Sequence, residues 1–84
     1  MTQHNRILKA MLDNPGKKYW TASDFQKGQY FVGYEATARM SELINKYSNI
    51  IIPGKDGRFR TLSLDWNKEK EIKELKQLFE VDYE

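Results

Sequence analysis

Between Gln3 and Asn14 the apolar residues Ile7, Leu8, Met11 and Leu12 fall at i, i+1, i+4 and i+5, the spacing of one stripe along a helix. Pro15-Gly16 ends that pattern, since neither residue continues a helix. Lys17 to Trp20 is short and reads as extended. Thr21 or Ser23 then offers a side-chain oxygen to cap a brief second helix reaching about Lys27, with Ala22 and Phe25 turned inward. Gly28-Gln29 interrupts it, Tyr30-Phe31-Val32 forms an apolar connector, and Gly33 offers a start for the next helix.

Tyr34 to Tyr47 is the clearest periodic segment. Ala36, Met40, Leu43, Ile44 and Tyr47 form one continuous apolar face, while Glu35, Ala38, Glu42 and Asn45 lie opposite. That outer face is polar, with short side chains at its middle, so it can lie close against a partner. Ile50-Ile51-Ile52 is a β-branched run and predicts a strand. Pro53 to Gly57 reads as the turn, with Asp56-Gly57 as a hairpin cue, and Arg58 to Leu64 as the returning strand. Alternation along that strand puts Arg58, Arg60, Leu62 and Leu64 on one side and Phe59, Thr61 and Ser63 on the other. Beyond Asp65-Trp66-Asn67 the chain becomes a charged helix, about Lys68 to Phe79, with a narrow stripe of Ile72, Leu75 and Phe79.

The predicted order of three helices, a two-stranded hairpin and a C-terminal helix gives an α+β class, mainly α. It is the order of a winged helix-turn-helix, with residues 1–66 as the domain and 67–84 as a charged amphipathic helix or tail. A chain of 84 residues buries only about 60% of its unfolded surface, so a marginal core has to be well filled. Trp20, Trp66, Phe25, Phe59 and Phe79 are the candidate anchors. There is no cysteine to form a disulfide or a zinc site. No apolar run suggests a membrane span or a signal peptide, so a cytoplasmic protein is expected.

Charge narrows the partner. Residues 1–64 hold ten Lys and Arg against five acids, a net +5, while the remaining twenty residues hold four Lys against seven acids, a net −3. A basic body with an acidic tail suits a nucleic-acid partner. In a winged helix-turn-helix the third helix enters the major groove and the hairpin reaches the neighbouring phosphates, where Lys55, Arg58 and Arg60 meet negative charge. On the third helix Arg39 either contacts the nucleic acid or pairs with Glu35 or Glu42. Thr37, Ser41 and Asn45 can meet base edges or phosphates, and Tyr34 can stack on or bond to the backbone. Lys17 and Lys18 are further phosphate candidates. Glu35 and Glu42 run against this pattern unless they are paired, because a carboxylate facing the groove meets phosphate repulsion. The lone histidine, His4, sits at a helix end and is assigned no role. Without a nucleophile–base set, a Gly-rich phosphate loop or a metal-ligand spacing, no enzyme activity, cofactor, metal or small-molecule substrate is expected.

Three stretches, WTASDFQ (20–26), GYEATARMSELINKY (33–47) and IIIPGKDGRFRTLSL (50–64), resemble the small winged helix-turn-helix proteins of bacteriophages and prophages. The Ala38-Arg39-Met40-Ser41-Glu42-Leu43 run carries most of that resemblance. It implies the fold and a transcriptional or other DNA-transaction role for residues from about 5 to 66. The link from Gly28 to Gly33 is longer than in that pattern and bears on the angle of the recognition helix. The alternative is a protein-interaction adaptor using the same surface. Ile72, Leu75 and Phe79 are open to two uses, homodimer contacts or folding back onto the chain's own core.

Overall fold

The computed structural model describes residues 2–82, as an α+β arrangement of four helices and a three-stranded antiparallel sheet. Helix α1 (Gln3–Asp13) forms on the predicted stripe, burying Ile7, Leu8, Ala10, Met11 and Leu12. Its start is capped by Thr2, whose hydroxyl accepts the Asn5 N–H at 3.2 Å. Strand β1 is only Trp20–Thr21, and α2 (Ala22–Gln26) follows at once. The Asp24 carboxylate accepts the Thr21 N–H at 2.9 Å, which fixes the entry to α2.

The link after α2 folds back onto it. The Val32 N–H donates to the Phe25 carbonyl at 2.7 Å, and Val32 itself is buried. Helix α3 spans Ala36–Lys46 and begins two residues later than the hydrophobic pattern suggests. The cause is local: the Gln26 side-chain amide donates to the Tyr34 carbonyl at 3.2 Å. That carbonyl is thereby engaged from outside the helix, and Glu35 becomes the cap.

Strands β2 (Ile51–Asp56) and β3 (Phe59–Leu64) make the hairpin, and β3 lies at the centre of the sheet in the order β1-β3-β2. Trp20 pairs with Leu62 and Thr21 with Thr61. The turn is tighter than Pro53–Gly57. Pairing continues out to Asp56 and Phe59, leaving Gly57-Arg58 as a two-residue loop. Gly57 supplies the positive φ of 62° that the first position of such a loop requires. Arg58 therefore stands in the turn rather than on the returning strand. Pro53 and Gly54 lie within β2. Proline is tolerated there because β2 is an edge strand. Gly54 faces Thr61 in register, and a Cβ at that position would stand 2.8 Å from the buried Thr61 hydroxyl.

One apolar cluster unites α1, α2, α3, the sheet and α4 (Glu69–Asp82). Trp20 and Phe25 are fully buried, and Trp66 is partly buried against the cluster. Two expectations change. Phe59 is not a core anchor but is 65% exposed. Strand alternation puts it on the side opposite Leu62, and it lies at the hairpin end, past the reach of the helices. Ile72, Leu75 and Phe79 are buried in the chain's own core, so they are not free to meet a second copy. A helix of this length is marginal in water, and α4 gains its support by folding back. Among the described residues no helix is long and apolar enough to cross a membrane.

The hairpin is also held from the other side of the sheet. The Tyr19 hydroxyl donates to the Asp56 carboxylate at 2.7 Å. That hydrogen bond, together with the negative charge of Asp56, raises the Tyr19 pKa above the ordinary tyrosine value.

Two outcomes follow from this packing. Phe25→Ala should lower unfolding free energy by about 3–5 kcal/mol, whereas Phe59→Ala should change it by less than about 0.5 kcal/mol, as read by urea denaturation. Tyr19 should titrate above the ordinary tyrosine value and return towards it in Asp56→Asn, as followed by NMR of ring-labelled tyrosine. Because its folded pKa is raised, this contact is fully present below the unfolded value and is lost as pH rises through the folded one.

Candidate nucleic-acid interface

Helix α3 presents its polar face beside the hairpin. Met40 and Leu43 point into the core, Ser41 is half-buried, and Thr37, Ala38 and Asn45 are exposed. Across from them β2 and β3 bring Lys55 and Arg60 into register with each other. Arg60 sits on the same side of β3 as Leu62 and Leu64, and past the core edge its guanidinium donates to the Ser41 hydroxyl. Strand alternation thus delivers the arginine to α3, as the sequence suggests.

A groove of about 640 Å³ runs between the two elements. Ser41, Ile44 and Asn45 line it from α3, and Pro53, Gly54, Lys55 and Arg60 from the hairpin. The compact ring of Pro53, on the same side of the hairpin as Lys55 and Arg60, keeps the wall low. Lys55 and Arg60 make that wall positive, and Arg58 adds a third cation at the exposed turn. A wall of this sign beside short hydroxyl and amide side chains suits an anionic polymer with hydrogen-bonding edges.

Arg39 is placed differently from these cations. At about 100° per residue it lies roughly 200° around the helix from Ser41, on the flank away from the hairpin. There it is only 28% exposed and its guanidinium is 3.0 Å from the Glu42 carboxylate. Its Nε is buried without a hydrogen-bond partner. Of its two uses, the intrahelical pair is the one the side chain adopts.

Glu42 has a second partner that the sequence does not reveal. The His4 ring Nε2–H donates to its other oxygen at 2.7 Å, bridging α1 and α3. A histidine near the start of one helix and a glutamate in another are 38 positions apart, so no local spacing signals the pair. Glu42 is therefore engaged on both oxygens and does not line the groove between α3 and the hairpin.

The remaining candidates fall outside the groove. Tyr34 is 83% exposed in the turn before α3, and its ring meets Phe31 edge-on at 5.6 Å. Lys17 is engaged locally, 5.0 Å above the Trp20 ring and 3.8 Å from Asp24. Lys18 is exposed next to it, ahead of β1, on the border of β3 that faces away from β2. Neither lysine adds to the α3–hairpin wall.

No group of three or more His, Cys, Asp and Glu side chains that could hold a metal ion occurs among the described residues. Compared with protein-family models, with curated proteins and with solved structures, the chain finds no match.

Proposed function

We propose that this chain is a winged helix-turn-helix protein that binds double-stranded DNA, with α3 in the major groove and the β2–β3 hairpin as the wing on the phosphate backbone. The element order supports the reading: a helix, a short strand, two helices and a hairpin whose inner strand pairs with the first. One observation carries it. Arg60 reaches Ser41, so the positive ribbon and the polar face of the helix border a single groove. Two elements aimed at different sides could not grip one duplex.

The physical fit is straightforward. The major groove is about 12 Å wide and admits a helix, and the outer face of α3 has no bulky apolar row. Thr37, Ser41 and Asn45 are the residues offered to base edges. Lys55, Arg58 and Arg60 meet phosphates, and binding them releases counterions from the DNA. Tyr34 stands at the leading end of α3, where it can touch the backbone. Glu42, the residue that argues most against a DNA partner, has both oxygens partnered, by Arg39 and His4. Arg39 thus serves by pairing an acid rather than by reading a base. A transcriptional or other DNA-transaction role then follows from the resemblance to small phage-type regulators.

Titration of a mixed-sequence duplex by fluorescence anisotropy at several salt concentrations tests the reading. Binding should weaken steeply with salt. Arg58→Ala combined with Arg60→Ala should reduce the slope of log K against log salt by about 2. No binding at low salt, or binding indifferent to both arginines, would assign the surface to a protein partner instead.

A further inference from the structure

Backbone anchoring leaves one residue of the wing unused. Phe59 is the first residue of β3, directly after the Gly57-Arg58 turn, and is 65% exposed. Successive side chains on a strand point to opposite sides. Arg60 therefore turns towards α3, while Phe59 projects on the other side at the very end of the ribbon. Folding gives no reason for a phenyl ring there, since it lies beyond the core.

The tip as a whole is cationic, with Arg58 in the turn and Lys55 and Arg60 paired on the opposite face of the ribbon. On its own face Phe59 stands across from Asp56, whose carboxylate accepts from the Tyr19 hydroxyl. The tip is also slim, because a two-residue loop with glycine at its first position is the narrowest way to close a hairpin. The minor groove is about 6 Å wide, so a narrow, positive end is what can enter it. Apolar side chains introduced there insert between base pairs, unstack one step and bend the duplex away.

We propose that the wing tip enters the minor groove adjoining the major groove held by α3, and that Phe59 is a wedge that opens one base step and bends the DNA. The inference rests on the DNA-binding reading and adds an activity to it. Arg58, beside the wedge, lies against the walls of the groove, where a narrow minor groove concentrates negative potential. Pyrimidine–purine steps, and TA above all, unstack most easily. The wing therefore confers a preference for a TA step at a fixed distance from the bases under α3.

The test uses the full chain and a 30-base-pair duplex, on the order of three helical turns. The duplex has one central TA step in G·C-rich flanks and a donor and an acceptor dye at its ends. Wild-type protein should raise energy transfer on binding. Phe59→Ala should bind within about threefold of wild type, since it removes no charge, yet leave energy transfer at the value of free DNA. Phe59→Leu, which keeps an apolar wedge, should restore the rise. Binding without any rise, or the same rise with Phe59→Ala, would overturn the wedge while leaving DNA binding intact. If wild-type protein does not bind at low salt, both the wedge and the reading beneath it fall.

Discussion

With its indole stacked on Phe25 at 5.2 Å, met edge-on by Tyr30, and its backbone paired with Leu62, Trp20 joins α2, the link after it and the central strand. A tryptophan buried to this degree is worth about 3–5 kcal/mol, against a net stability of about 5–15 kcal/mol for a domain. The chain has no cysteine to compensate for a weak centre. Strand β1 is two residues long, and two ladder positions alone would not hold it. It stays in the sheet because its first residue is anchored in the core, and α2 begins immediately behind it.

That anchor controls the geometry further out. Fixing β1 on β3 sets where β3 leaves the core, and the run of alternating residues from Leu64 to Arg60 then aims the arginine at α3. The polar residues of α3 thereby fall into two groups. Beside the hairpin lie hydroxyl and amide groups facing cations, and outside that groove Glu42 is shared between Arg39 and His4. Positive charge is thus collected along the groove while the acid beyond it is paired. The asymmetry comes from packing as much as from composition.

Periodicity was enough to read α1, α3, the hairpin and α4, because each buries a stripe or an alternate set that repeats along the chain. The inward turn of Arg60 was legible for the same reason, since parity with Leu62 and Leu64 decides it. What escaped was set by single contacts. The late start of α3 depends on one amide from Gln26 reaching the Tyr34 carbonyl. The turn is tighter than the Pro53–Gly57 stretch that its residue types suggest, because Gly57 takes the positive φ and β2 pairs out to Asp56. Phe59 looks like core by composition and is exposed because the hairpin runs past the helices. The His4–Glu42 pair and the β1–β3 pairing join distant parts of the chain, and nothing local announces either. Ile72, Leu75 and Phe79 had an apolar stripe whose partner could be another copy or the chain itself, and only the packed core distinguishes the two.

Strand β2 is an open border of the sheet, six residues long, and such a border is a template on which another chain can add a strand. Pro53 sits in the middle of it and has no amide hydrogen to offer. Any incoming ribbon would meet a break in the ladder halfway along. The ring that keeps the groove wall low thus also removes a donor from the bare edge, which disfavours the addition of a further strand there.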